Sequence, residues 1–362
     1  MSRGALTWWA RATAAAALVA TGLLAAPGAM ACACGGFVGP DGSRQTVQQE
    51  TAALHWDGTD ETIHLRLTTQ GVGDDAGLLL PTPNPAADVA LGDEELFSDL
   101  AAASAPRWEE RQHLFGPPEL FGDDGDSAAG GAPGDGAVQV LSTQDLGPLE
   151  TAVLTADDPG ALDEWLTEHD YVMNERFESV VTPYVEEGWA FVAVRLTAEG
   201  QTISGDLPPL KVTFPSDELV YPMRMSQAAV DTQSTRTYVL SDHRVTRTDP
   251  TGSSGQAELL FAGELTADQA QSPELAAIVA QAPYLTTLEQ EFVNPQAQIV
   301  SDYVFAADDT DEPFQRVIYT DSYLIPIDVA IILAVLVLGL VGGGIAIVMV
   351  VRRQLRSAPR AG

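Results

Sequence analysis

The chain has one lysine, Lys211, and only 18 basic residues against 51 acidic ones, for a net charge of −33 over 362 residues. With so little positive charge it cannot neutralise a run of phosphates, so no nucleic-acid partner is expected. Chemistry that needs a lysine, such as a Schiff base or a Ser-Lys dyad, would have to use Lys211. Two cysteines, Cys32 and Cys34, are too few for a disulfide-stapled scaffold or a four-cysteine zinc site. The five histidines are scattered. There is no HExxH, no GxSxG, no P-loop and no dinucleotide fingerprint. Motif alone therefore assigns no catalytic residue, no cofactor and no metal ligand.

Both ends carry targeting signals. Arg3 and Arg11 precede an Ala/Leu/Val-rich stretch, Ala12 to Ala26, and then Ala29-Met30-Ala31 and Cys32. This reads as a signal peptide over residues 1–31 with cleavage after Ala31. An uncleaved anchor or a lipoprotein acylated at Cys32 are the other readings. Val329 to Val351 is an uncharged apolar run that, as a helix, spans roughly 34 Å, enough for a bilayer core. We take residues 325–351 as a transmembrane helix and 352–362 as a basic cytoplasmic tail. Arg352, Arg353, Arg356 and Arg360 follow the run and fix that tail inside. Tyr319 and Tyr323 precede it as interfacial aromatics. Gly339 and Gly343 form a GxxxG, a candidate face for a weak dimer. Residues 32–324 then form the exported body. It holds 12 basic and 50 acidic residues, a net −38. Such a field favours solubility and repels anionic surfaces.

Within the body, Thr62-Ile63-His64-Leu65-Arg66-Leu67-Thr68 alternates at period two. With residues 46–55 and the Asp57-Gly58 turn it predicts a hairpin. Gly77 to Pro81 is a short buried strand. Asp93 to Ser104 reads as a helix with Leu96, Phe97 and Leu100 on one face. Residues 116–137, rich in glycine and carrying Asp123, Asp124 and Asp126, read as a mobile acidic loop, and these acids do not match an EF-hand. Helices are expected from Pro159 through Leu166, at Glu175–Val185 and at Pro273–Ala282. Trp189 to Leu196, apolar on both faces, reads as a central strand. Further strands are expected at 209–214, 235–248, 257–264, 284–293 and 296–305. The fold class is α+β: a mainly antiparallel sheet with a few packed helices, plus one C-terminal transmembrane helix.

Several stretches together resemble the bacterial family "domain of unknown function 2330". They are Cys-Ala-Cys-Gly-Gly-Phe at 32–37, Leu-Pro-Thr-Pro-Asn-Pro at 80–85 with Leu96 to Leu100, and Ala105-Pro106-Arg107. Tyr184-Val185 with Gly188 to Val194, Leu207 to Pro215, and Tyr221-Pro222-Met223-Arg224 complete the set. The resemblance implies a secreted, C-terminally anchored protein. The family brings no established activity, so no catalytic residue is carried over.

Cys32 and Cys34 admit a local disulfide or redox pair, pairing with another chain, a thiolate metal site, an N-terminal nucleophile or lipidation. His55 and His64 flank the predicted turn and would need a further ligand to hold zinc. Glu109-Glu110 and Glu186-Glu187 are carboxylate pairs expected by chance in so acidic a chain. Trp56, Trp165 and Trp189 read as core, and Trp108 beside Pro106 as core or the lining of a groove. The functional expectation is a single-pass cell-envelope protein acting as a binding or architectural module, its envelope protein or polymer partner undefined. The competing class is an extracytoplasmic enzyme, an envelope hydrolase or a thiol redox protein using Cys32 and Cys34. Protease added to intact protoplasts should digest residues 32–324 and leave the C-terminal span and tail. A body that survives the treatment refutes this topology.

Overall fold

The computed structural model of the chain describes residues 30–32, 35–39, 46–72, 75–117, 150–155, 159–197, 203–250 and 256–357. The expected signal segment up to Ala29, most of the acidic loop with Asp123, Asp124 and Asp126, Cys34 and Arg360 lie outside these residues. The chain divides into two units, Met1–Ala105 with Gln144–Gln315, and Pro106–Thr143 with Arg316–Gly362.

In the larger unit the predicted hairpin forms: Thr46–Trp56 pairs antiparallel with Asp60–Val72. Asp57 Oδ1 accepts from the Thr59 and Asp60 amides, and Gly58 takes φ +94°, a conformation that costs glycine little. This hairpin is the centre of a nine-stranded sheet. The order is Phe314–Gln315, Glu258–Glu264, Tyr284–Phe292, Gln233–Ser241, Thr46–Trp56, Asp60–Val72, Leu210–Pro215 and Asp88–Leu91, with Ile203–Asp206 also on Asp60–Val72. All these pairs are antiparallel except Gln233–Ser241 against Thr46–Trp56, which is parallel. A five-stranded sheet runs Met30–Cys32, Gly35–Val38, Asp75–Thr82, Ala190–Thr197 and Glu150–Thr155. The expected central strand thus lies between two partners, and Ala190 to Val194 are buried. A third sheet joins Leu219–Tyr221, Tyr303–Ala307 and Val245–Arg247.

The period-two pattern assigns each residue to a layer. Leu54, Ile63, Leu65 and Leu67 of the large sheet meet Leu78, Leu80, Val192 and Val194 of the five-stranded sheet, along with Tyr221, Tyr303 and Phe305. The opposite face of the five-stranded sheet, Val38, Leu79, Phe191 and Ala193, is covered by helices α2 (Pro159–Glu168) and α3 (Glu175–Glu186). The opposite face of the large sheet is covered by α1 (Glu94–Ala103) and α4 (Pro273–Val279). The result is four layers, α–β–β–α. Side-chain caps start the helices: Asp93 accepts from Glu95 N in α1, Asn174 from Phe177 N in α3, and Ser272 from Leu275 N ahead of Pro273 in α4. Asp99 of α1 also accepts from the Gln271 and Ser272 amides, which ties α1 to the start of α4.

Two expectations change. The strand expected over 296–305 begins instead with a helical turn, α5 (Pro295–Gln298), because Pro295 fits the first helical position and cannot donate to a ladder. The strand itself is Tyr303–Ala307. The stretch 235–248 is two strands in different sheets, broken around Asp242-His243.

In the smaller unit, Arg107–Gly116 pairs with Val317–Pro326 as a two-stranded parallel ribbon. Pro326 leads directly into α6 (Ile327–Ser357). Ile327–Arg353 of α6 is long and apolar enough to cross a membrane, and its apolar window is exposed throughout.

Candidate ligand-binding site

A cavity of about 350 Å³ opens between the α-covered face of the five-stranded sheet and the end of α2. Its floor is Val38, Gly77, Leu79 and Ala193, and its rim carries Trp165, Glu168, His169, Asp170 and Arg195. Such a volume suits a small ligand. Trp165 and His169 lie one turn apart on α2 and the turn that follows it. Their rings stack at 4.0 Å between centroids, 25° from parallel. His169 Nδ1 lies 2.7 Å from the Trp165 carbonyl. A carbonyl only accepts, so Nδ1 is the donor in this contact, and in the neutral ring Nε2 is an acceptor. The Tyr171 amide donates to the Leu166 carbonyl and the Asp170 amide to that of Thr167, a Schellman closure of α2. That closure places Asp170 at φ +65°, where glycine is the usual residue. Strain of this kind gathers at binding sites. Tyr171 packs over Gly77, where an added Cβ would lie 2.9 Å from Val38 and 3.2 Å from the Tyr171 ring. The cavity floor therefore has no room for a side chain there.

Behind the same helical layer sits a polar node. Tyr184 Oη donates to Asp302 Oδ1 at 2.5 Å, and the Met223 and Arg224 amides donate to that oxygen at 2.7 and 3.0 Å. Arg224 Nε donates to Asp302 Oδ2 at 2.7 Å, and its two terminal nitrogens grip Glu187 at 2.6 and 2.5 Å. The guanidinium lies 4.2 Å above the Tyr184 ring and 6.0 Å from that of Trp189. Burial pushes the Tyr184 hydroxyl well up, and anionic Asp302 pushes it further, so it stays a donor. Burial alone would weaken the Arg224 cation, but Glu187 and Asp302 outweigh it and raise its pKa.

Two further groups are titratable and sealed. Glu61 faces the inter-sheet core with no exposure, and one of its oxygens accepts from Val220 N. Burial pushes its carboxyl well above the usual range. His64 faces α4 and is 1% exposed, and neither of its ring nitrogens finds a hydrogen-bond partner. Burial pulls its pKa down to about 4, against the opposing pull of Glu274. At neutral pH the ring is uncharged, so its 3.8 Å approach to Glu274 is not an ion pair. The partner of Glu274 is Lys211, whose Nζ donates at 2.5 Å.

His55 and His64 are not directly opposed. His64 pairs with Ala53 and His55 with Thr62, so the two histidines are diagonal neighbours on one face. Among the described residues, no group of three or more His, Cys, Asp or Glu could hold a metal ion. Cys32 ends the strand Met30–Cys32, in register with Gly35, and that strand includes Ala31. Of the cysteines' side chains the structure describes nothing. Trp56 Nε1 donates to the Ser216 carbonyl, and Trp108 stands exposed on the ribbon. Arg352 and Arg353 are exposed on α6, which runs past Arg356. Gly339 and Gly343 lie one turn apart on α6 with open space around each.

This architecture defines a mixed α+β protein, mostly antiparallel, with one C-terminal helix of membrane-spanning length. The chain belongs to the family described as uncharacterised protein conserved in bacteria (DUF2330), whose model matches residues 28–306. No curated protein matches the chain. Among solved structures, the crystal structure of baculovirus P35 is similar over 75% of this chain and 96% of that one, at 11% identity and a TM-score of 0.36. A likeness that loose carries no argument. Within the family match, the stretches around Tyr184, Glu187–Trp189 and Arg224 converge on the node. Asp302, which completes it, carries no local motif and was not singled out from sequence.

Two outcomes follow from this chemistry. Removing the Asp302 carboxylate strands the buried Tyr184 hydroxyl and Met223 amide and takes one of its two carboxylates from Arg224, so Asp302→Ala should lower unfolding free energy by about 3–5 kcal/mol. Glu187→Gln, at the exposed end of the node, should cost under about 1 kcal/mol. Urea unfolding followed by Trp fluorescence distinguishes the two, and equal losses would refute the ranking. The second outcome is a pH dependence. Folded His64 stays neutral down to about pH 4 while the unfolded ring protonates near its usual value. Stability should therefore fall as pH drops from about 6.5 towards 4. Folded Glu61 holds its proton above the ordinary range, so its contribution is lost as pH rises. Glu61→Gln should raise the melting temperature at pH 8 and leave it nearly unchanged at pH 4. A wild-type-like alkaline decline in that variant would contradict the assignment.

Proposed function

We propose that the protein is a binding module held at the outer face of the cell membrane by α6, and that the cavity beside α2 takes a small, hydroxyl-bearing ring, such as a sugar unit of an envelope polymer. The observation that carries this reading is the composition of the cavity. Trp165 and Tyr171 offer apolar ring surface. Glu168, Asp170 and His169 Nε2 offer acceptors, and Arg195 stands among the lining residues. A neutral polyol satisfies such a mixture without bringing negative charge to an acidic body, and an aromatic platform suits its apolar face. The signal-type N-terminus and the arginines after the span support the outward orientation of the body. The test uses the full-length chain in detergent, co-sedimented with purified cell-wall polysaccharide and then titrated with its soluble fragments. Wild type should be retained. Asp170→Gly relieves the left-handed conformation and should stabilise the fold by about 1 kcal/mol, yet it should weaken retention by removing an acceptor. Glu168→Gln combined with Asp170→Asn should weaken it further. No retention of wild type, or full retention by Asp170→Gly with the double variant, overturns the reading.

A further inference from the structure

The base of the ribbon has an arrangement that the binding module does not use. No linker separates it from the span: Val317–Pro326 gives way to α6 at Ile327. The parallel register sets His113 opposite Tyr323, Phe115 opposite Ile325 and Gly116 opposite Pro326. A strand from some 200 residues earlier is thereby brought to the level where α6 begins. At that level Leu114 is 56% exposed, Phe115 49%, Tyr323 49% and Leu324 69%. Successive residues of a strand point to opposite faces. These four therefore put apolar surface on both faces of the ribbon at one height. Higher up, the exposed positions are largely polar, Glu110, Gln112, Thr320 and Asp321 among them, and Tyr319 lies 3.3 Å beneath the Arg111 guanidinium.

We propose that this base is a second membrane contact, a collar of Leu114, Phe115, Tyr323 and Leu324 seated in the interfacial layer of the bilayer around the start of α6. The proposal rests on reading α6 as a membrane span. A protein partner docking on one side would cover one face, whereas an apolar girdle on both faces fits a surrounding medium. Continuity with α6 says which medium that is. Charge agrees: residues 113–116 and 323–326 hold no Asp, Glu, Arg or Lys, whereas residues 32–324 as a whole carry −38. The base can therefore approach a headgroup layer that most of the body would avoid. Its geometry is also fixed. His113 Nε2 meets Asp321 Oδ1 at 2.8 Å across the strands, and the Tyr323 ring lies 5.5 Å from that of His113. A Cβ at Gly116 would stand 2.7 Å from Tyr323. Tyrosine at this depth is the residue expected of a membrane interface. Among the described residues the base of this two-stranded parallel ribbon is exposed on both faces, a marginal arrangement in water to which the bilayer would add apolar cover.

The experiment reconstitutes the full-length chain in phosphatidylcholine liposomes containing a phospholipid with a diazirine near the carbonyl end of one acyl chain. After irradiation, chymotryptic peptides are mapped by mass spectrometry. Adducts are expected on α6, on the Leu114–Phe115 segment and on the Tyr323–Leu324 segment. None are expected at Trp108, which stands roughly 23 Å above Phe115 along the strand. Label on α6 with none on Leu114–Phe115 overturns the proposal and leaves the span intact. Absence of label from α6 overturns the span reading and the proposal with it.

Discussion

Asp302 is the constraint on which the layering of the larger unit depends. A carboxylate taken out of water needs its charge and lone pairs met by the fold, or the fold is penalised by several kcal/mol. Here four donors meet it, and they come from separate places in the chain: a tyrosine of α3, two backbone amides of the turn after Leu219–Tyr221, and the Arg224 side chain. Satisfying one carboxylate therefore fixes the helical layer over the five-stranded sheet against the small sheet containing Tyr303–Ala307. Arginine suits the position because one planar fork reaches Asp302 on one edge and Glu187 on the other, while its flat face rests on Tyr184. A lysine could reach one carboxylate but could neither bridge nor stack. The chain's single lysine serves where a point charge suffices, at Glu274.

Local patterns were legible from the sequence and long-range pairings were not. The 46–56 and 60–72 hairpin, the helix beginning after Asp93 and the apolar strand at 190–197 each declare themselves through turn residues, a cap or periodicity. The alternation through Ile63-His64-Leu65-Arg66 was also visible, but alternation alone says that two faces differ, not that one meets water. In the structure α1 and α4 cover the second face, so His64 is sealed and Arg66 lies 4.9 Å from the Phe97 ring. Nothing near residue 64 announces a helix from residues 273–279. The parallel pairing of Gln233–Ser241 with Thr46–Trp56, and of Arg107–Gly116 with Val317–Pro326, likewise leaves no local trace. The register there is set by what each face buries.

The candidate site was half legible. Trp165 and His169 are four apart, a spacing that places two rings on one face wherever a helical turn runs through both, but the helix expected from the sequence stops at Leu166. Reading Trp165 as core and the histidines as scattered overlooks the pair. The sheet floor beneath them, and the left-handed Asp170 that turns the chain across it, depend on tertiary packing that no short window contains.

The positions of the titratable groups bear on the choice between a binding module and an enzyme. Strongly shifted ionisation marks a reaction centre when the shifted group also lies in a cleft within reach of substrate. Here the two conditions fall in different places. Glu61, His64 and Tyr184 owe their shifts first to burial, and each is at most 1% exposed behind a sheet or helix. Ordinary thermal motion would not bring a substrate to any of them without opening a layer of the core. The groups that do line the cavity, Glu168, His169 and Asp170, sit at its rim in contact with solvent. They offer acceptors and a stacked ring pair, which are instruments of recognition. The core of this protein uses buried charge to hold its layers together, and the cavity rim presents its polar groups to solvent. That separation is what supports reading it as a module that binds.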